Sequence, residues 1–368
     1  MSHINSFRLV EHFLELIQID SESGNELAIS EHLAQQLTEL GFDVQKRTVT
    51  DAVSNGNNLY AKLKGSLEGS ILMSCHMDTV TPGNGIKPVI DDGIIRSEGN
   101  TILGGDDKSG IAAIMEAVKA IQEAGLPHKT IELAFTVHEE GGLHGSRQFD
   151  IRDIESDCAI VLDSSGDIGT IITQAPGQQS FKITITGKPA HAGLAPEQGI
   201  NALTVASEAI SKMNLSRINE ETTANIGVVK GGNATNIVMP EVYLEAEARS
   251  LNDEKLSAQV AHMETTFQDA ADAHGAQINI ESCREYVAYQ IDEAHPLVDS
   301  IKRAFEKCDL MPRTKSTGGG SDANIFNAKG LTTVNLATGM SKVHTTEEQI
   351  AIDDLFNISR FVEQFLTQ

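Results

Sequence analysis

The chain has 368 residues, 28 basic and 52 acidic, for a net charge of -24. Hydrophobic residues make up 40%, enough for one large or two ordinary cores. That charge repels phosphate backbones and anionic head groups, and an aromatic share of 4% without tryptophan offers no base-stacking surface, which sets aside nucleic acid and membrane surfaces as partners.

The stretch from Met1 to Asp20 is polar and amphipathic, with no basic n-region and no unbroken apolar run, so no signal peptide is expected. No segment nears the roughly 20 apolar residues of a membrane span. Cys75, Cys158, Cys283 and Cys308 lie far apart and form no CxxC pair, which suits a reduced, cytoplasmic protein. Apolar residues Phe7, Val10, Phe13, Leu14 and Ile17 predict a helix face over Ser6 to Ile19. Ser23-Gly24-Asn25-Glu26 has capping-box spacing and opens a second helix that stops at Gly41. Short strands follow near 43–47, 58–63 and 71–75, then a helix over 108–123 and strands over 130–137 and 159–162. Strands alternating with helices indicate a layered α/β domain.

The pattern changes after Gln174-Ala175-Pro176-Gly177. A strand (180–186), a helix (201–213), two strands (225–229 and 242–248), a long helix (253–274) and a strand (277–282) follow in βαββαβ order. The expected architecture is α/β: a catalytic domain over 1–177 and 288–368, with a mixed, mostly parallel sheet between helices. A ferredoxin-like α+β domain over 178–287 is inserted into it.

Several motifs carry metal-binding side chains. His76 emerges at the carboxyl end of a strand, where open α/β sheets place ligands, and Asp78 is within reach of its second ring nitrogen. Asp106 and Asp107 follow Gly104-Gly105 at a helix start; one carboxylate there can bridge two cations about 3.5–4 Å apart. Glu139 and Glu140 end a strand, one suited to a metal and the other to a general base. Asp163 ends another strand, and His344 precedes Thr345-Thr346-Glu347-Glu348, which has capping-box spacing. Each motif alone also has a structural reading: a turn histidine, an N-capping aspartate, a charged loop, a turn aspartate. His138-Glu139 is not a zincin motif, because position 142 is Gly142 and the context is a strand. Cys75 points away from His76, and His12, His32 and His262 have no metal-binding context.

His76-Met77-Asp78-Thr79, Gly105-Asp106-Asp107-Lys108, Glu139-Glu140, Asp163, His191-Ala192-Gly193 and His344 occur in the order of the co-catalytic zinc exopeptidases. The chain most resembles their peptidase T-like branch, through 101–110 (TILGGDDKSG) and 317–324 (TGGGSDAN). The resemblance spans nearly the whole chain. It implies two zinc ions, with cobalt or manganese able to serve, one held by His76, Asp106 and Asp163 and the other by Asp106, Glu140 and His344. Asp78 would orient His76, Glu139 would be the general base, and the peptide between Asp106 and Asp107 would be cis. The inserted domain would act as a lid and mediate a homodimer. On it His191 would stabilise the oxyanion, and Asn236 and Arg249 would hold the substrate. Gly319 and Gly320 would let substrate backbone approach closely. The implied activity is hydrolysis of peptide bonds in short peptides, as an aminopeptidase on tripeptides or similar. The alternative is an N-acyl-amino-acid deacylase or a carboxypeptidase of the same family.

Overall fold

The computed structural model describes residues 2–50 and 52–368. The chain forms two compact units. One comprises Met1–Thr173, Gln290–Ser316 and Ser321–Gln368; the other comprises Gln174–Tyr289 with Thr317–Gly320. The expected boundaries at 177/178 and 287/288 thus fall a few residues from the observed ones, and Thr317–Gly320 group with the second unit.

Four segments form the centre of the first unit's sheet: β1 (Ser70–His76), β2 (Thr130–Thr136), β3 (Cys158–Ser164) and β4 (Thr332–Ala337). They lie in the order β2-β1-β3-β4 and pair in parallel. Strands covered on both faces have no solvent side to present, so Ile71-Leu72-Met73 and Ile160-Val161-Leu162 are unbroken apolar runs. Asn57–Leu63 adds to β2 antiparallel, Asp43–Thr48 adds to that strand, and Thr170–Ala175 adds antiparallel to β4. Among the described residues the sheet has nine strands. The expectation of mostly parallel pairing holds for its four central strands and not for these flanks.

Helices α1 (Ser6–Ile17), α2 (Gly105–Ala124) and α3 (Ile352–Leu366) pack into the same core. The buried stripe of α1 is Leu9, Phe13, Leu16 and Ile17, while Phe7 lies exposed in the first turn, outside the face the sequence assigned it. Helix α2 buries Ile111, Ile114, Val118 and Ile121, and Ser359 of α3 donates a hydrogen bond to the Ala113 carbonyl at 3.1 Å.

Neither capping box forms. Glu26 is itself the N-cap of Leu27–Glu39 and makes no side-chain cap bond. Its carboxylate accepts instead from the amides of Gly24 and His138 and from the Ser54 hydroxyl, while the Ser23 hydroxyl donates to Asp78. Thr345–Glu348 form turns, and a short strand (Gln349–Ala351) precedes α3, so there is no helix start there to cap.

The second unit is a five-stranded antiparallel sheet in the order 216–217, 222–231, 241–250, 177–186, 277–286. Phe181, Ile183, Ile185, Val242 and Leu244 point to a core shared with Val205 of helix Ala202–Lys212 and with Met263 and Phe267 of helix Asp253–His274. Alternation along these strands is what one covered face requires.

One buried acid stands inside the first sheet. Glu132 on β2 accepts from the Tyr60 hydroxyl, the amides of Glu155 (3.0 Å) and Ser156 (2.8 Å), and the Ser156 hydroxyl (2.5 Å). Burial alone pushes its carboxyl upward, but the Ser156 and Tyr60 bonds overturn this and hold it below the ordinary glutamate value. A depressed folded-state pKa stabilises the fold above the unfolded-state value, and that gain is lost as pH falls through the folded value. Glu132→Gln should therefore cost about 1–3 kcal/mol at neutral pH. The gap to the parent should close as pH falls below the ordinary glutamate value near 4.5, read by urea unfolding across pH.

Candidate metal centre

Strand β1 delivers His76 to its carboxyl end, almost fully buried. Its Nδ1 faces the Asp78 backbone carbonyl at 2.9 Å, with Asp78 Oδ1 at 3.4 Å. A carbonyl only accepts, so Nδ1 carries a proton and Nε2 is the nitrogen turned to the other side. There Nε2 meets Asp106 Oδ1 at 3.1 Å and Asp163 Oδ1 at 3.6 Å. The second oxygen of Asp106, Oδ2, lies 3.3 Å from His344 Nε2, which is also 2.8 Å from Glu140 Oε1. One carboxylate thus faces two imidazoles from opposite ends of the chain.

His76 ends a regular strand, whereas the other donors sit at or beside local irregularities. The Asp106-Asp107 peptide is cis, and both residues have non-helical backbone angles within the first turn of α2. Pairing between β3 and β4 shifts register after Val161 and Asn335, resuming at Ser164 and Ala337, so Leu162 and Asp163 oppose a single residue. This bulge re-aims Asp163, and Asn335 holds its backbone on both sides, at 2.9 Å on the amide and 3.2 Å on the carbonyl. His138, Leu143 and His344 have φ of 52°, 59° and 62°, left-handed angles uncommon for residues other than glycine, on the two loops that carry Glu140 and His344.

Carboxylates outside the cluster hold these loops by their amides. Asp78 accepts from the amides of Glu139 (2.9 Å) and Glu140 (3.2 Å), and Glu26 from that of His138 (3.0 Å). Glu348, fully buried, accepts from the amides of Leu103, Gly104 and Asp106. Gly104 has φ 75°, which a glycine adopts without strain and which turns these amides inward. Capping-box spacing in the sequence gives Glu26 and Glu348 only a local, helix-capping role, and no motif marks Asn335.

The cluster is short of positive charge. Burial pushes the Glu139 and Asp163 carboxyls well above their usual range, reinforced for Glu139 by the Asp163 charge and for Asp163 by that of Asp106. Burial raises Asp107 strongly and Glu140 as well, the latter against its bond to His344. Asp106 goes the other way: burial opposes ionisation, but the bonds to His344 and His76 hold it below the carboxylate range. His344, bonded to Asp106 and Glu140, is pushed up to about 10. His76 is raised well above its ordinary value despite burial, through Asp106, Asp163 and Asp78.

Carboxylates and imidazoles in this density call for cations, and this mixed N/O donor set suits zinc, cobalt or manganese. One donor atom each from His76, Asp106 and Glu140 lie within 4.8 Å of one another, and the same holds for His76, Asp107 and Asp163. Both groups contain His76, and the donor set suits divalent cations. Asp107 joins the second group by distance, although the resemblance assigns it no ion; its Oδ2 also accepts from the His76 amide at 3.3 Å.

The remaining expected residues lie in the second unit. His191 is exposed, its Nδ1 accepting from the amides of Gly193 (3.1 Å) and Leu194 (3.2 Å), so the neutral ring carries its proton on Nε2. The Asn236 carbonyl accepts from the Ala192 amide at 2.9 Å. Arg249 makes two bonds of 3.0 Å to Glu247 and a longer one, 3.4 Å, to the Gly318 carbonyl. A side chain at Gly319 would meet nothing, whereas one at Gly320 would strike the Tyr286 ring at 2.3 Å. Packing against Tyr286 thus gives glycine at 320 a reason apart from substrate.

Residues 72–368 match the profile of Peptidase family M20/M25/M40. The chain belongs to that family. This peptidase is 44% identical over 361 residues to the protein YqjE of Bacillus subtilis (strain 168), covering 98% of this chain and 97% of YqjE. Its fold is similar to that of the aminopeptidase PepT from Bacillus cereus ATCC 10987, with TM-score 0.91 and 43% identity over 100% of this chain and 99% of that one. It is also similar to a tripeptidase from Staphylococcus aureus subsp. aureus Mu50, with TM-score 0.96 and 38% identity over the same shares. The peptidase T-like resemblance read from the motifs therefore stands, and the chain is a hydrolase acting on peptide bonds. No helix among its described residues is long and apolar enough to cross a membrane.

Asp78 holds both neighbouring glutamates through their amides, so Asp78→Asn should disturb Glu139 and Glu140 together. We expect metal affinity or turnover to fall about 10–100-fold with the fold retained, measured by metal titration and steady-state kinetics. Unchanged values for both would show that the loop holds its shape without this acceptor.

Proposed function

We propose that this peptidase is an aminopeptidase acting on tripeptides or similarly short peptides, with two divalent cations, zinc in the first instance. The reading rests chiefly on Asp106, whose two oxygens face His76 and His344 separately. His76, Asp106 and Asp163 would hold one ion and Asp106, Glu140 and His344 the other. Bound there, two cations supply Lewis acidity, polarising the scissile carbonyl and lowering the pKa of the attacking water toward neutrality.

The chain's own groups do the rest. Glu139 is buried beside the donors and makes no side-chain bond to His344, unlike Glu140. Its raised pKa suits a group that takes a proton from water and returns it to the leaving amine. His191 presents an Nε2–H donor suited to the oxyanion. Asp78 keeps the His76 ring turned and the glutamate loop in place. Asn236 and Arg249 are assigned to the substrate backbone or carboxylate, and for Arg249 this means sharing a guanidinium already paired with Glu247. Gly319, with open space at its Cβ, suits close approach of a substrate backbone, and Gly320 is kept in the same role. Residues 178–287 are assigned as lid and as homodimer surface. The four unpaired cysteines suit a reducing cytoplasm.

Glu139→Ala should keep two ions per chain while turnover on a tripeptide falls about 10²–10⁴-fold. Metal analysis beside single-turnover kinetics reads both, and retained turnover would remove Glu139 from the reaction. Free-amine tripeptides should be cleaved in preference to N-acyl amino acids and N-blocked peptides. The opposite preference would make the enzyme a deacylase or carboxypeptidase.

A further inference from the structure

Glu348 lies four residues after His344 and shares no atom with the donor cluster, yet both its oxygens are committed to the segment that carries Asp106. Oε2 accepts the Leu103 and Gly104 amides at 2.8 and 2.9 Å, and Oε1 the Asp106 amide at 3.0 Å. Consecutive amides turned inward at a helix start form an anion nest, and orphan donors there need an acceptor. In this chain the anion is a side chain from a loop more than 240 residues away in sequence.

That loop is anchored at its ends. Ser341 bridges to Gln349, and Gln349–Ala351 pairs antiparallel with Ile94–Ser97. Its own turn is closed by the Glu348 amide on the Thr345 carbonyl at 3.1 Å. Between these ties His344 sits in a left-handed conformation, half exposed, its ring reaching Asp106 Oδ2. Among the described residues, the backbone hydrogen bonds that tie the segment at Asp106 to the loop around His344 are those to the Glu348 carboxylate. The His76 side of Asp106 is set differently: β1 and the Asp107 carboxylate on the His76 amide fix it without the 341–349 loop.

We propose that Glu348 is a positioning residue that sets the spacing between Asp106 and His344, and so the affinity of the second cation site while leaving the first nearly unchanged. This rests on the two-cation reading above. In Glu348→Gln the amide keeps one acceptor oxygen and turns an NH₂ donor toward a backbone donor, so the nest opens on the Asp106 side or the Leu103 side. A Cβ at Gly105 would lie 3.1 Å from Glu348 Oε1, with its next neighbours at 3.7 and 4.0 Å, so Gly105→Ala displaces the same carboxylate by a few tenths of an ångström without removing it.

The test is titration of metal-stripped full-length protein with Co²⁺, following d–d absorption and bound metal, for the parent, Glu348→Gln, Gly105→Ala and His344→Ala. In Glu348→Gln the second ion should bind about 10–100-fold more weakly, with the first within about 3-fold of the parent. Gly105→Ala should shift the second ion in the same direction by less, and His344→Ala should lose it. If Glu348→Gln binds both ions as the parent does while His344→Ala loses one, the positioning role is overturned and the two-cation reading survives. Equal weakening of both ions overturns it too. If Glu348→Gln does not fold, unchanged second-ion affinity in Gly105→Ala overturns it. A parent that never takes two ions sinks the two-cation reading and this inference with it.

Discussion

The constraint on which this structure turns is one carboxylate with two jobs. Asp106 directs one oxygen at His76 and the other at His344, and those histidines reach it from different ends of the sequence. Around it the fold buries Asp107 and Glu139 and partly buries Asp163 and Glu140, a gathering of like charge that water would otherwise solvate. Protons on the histidines and on some of the acids relieve that repulsion in part. Divalent cations bound among these carboxylates would relieve more of it and would supply the Lewis acidity that the proposed hydrolysis needs.

Holding such a cluster takes a second set of acids whose work is mechanical. Asp78, Glu26 and Glu348 face backbone amides, and each pins a segment that carries a donor. Carboxylates suit this task because each oxygen can accept more than one hydrogen bond, and amides at irregular turns have no other partner. The shape of the centre thus follows from backbone hydrogen bonding as much as from its donors. Family membership and the fold shared with an aminopeptidase and a tripeptidase are consistent with that arrangement serving peptide hydrolysis.

The side chains that cluster were legible in the sequence because they sit where apolar strands stop, as at Ile71–His76 and Ala159–Asp163, and because their order along the chain resembles that of a known family. The insertion was legible because strand patterning changes from unbroken apolar runs to alternation after Gly177. The supporting acids were not. Glu26 and Glu348 stand at capping-box spacing, a local signal, while Glu26 also takes the amide of His138 and Glu348 takes those of Leu103, Gly104 and Asp106, all far away in sequence. The bulge at Leu162-Asp163 depends on its pairing with β4, which no local pattern encodes. The resemblance gives Arg249 to the substrate, and its pairing with Glu247 emerges only when the strand places both on one face.

Anomalous diffraction from crystals grown with zinc, recorded on both sides of the zinc edge, tests the central claim most directly. Two peaks about 3.5–4 Å apart are expected, one on each side of the Asp106 carboxylate. A single peak, or peaks that leave either oxygen of Asp106 without an ion, would contradict it.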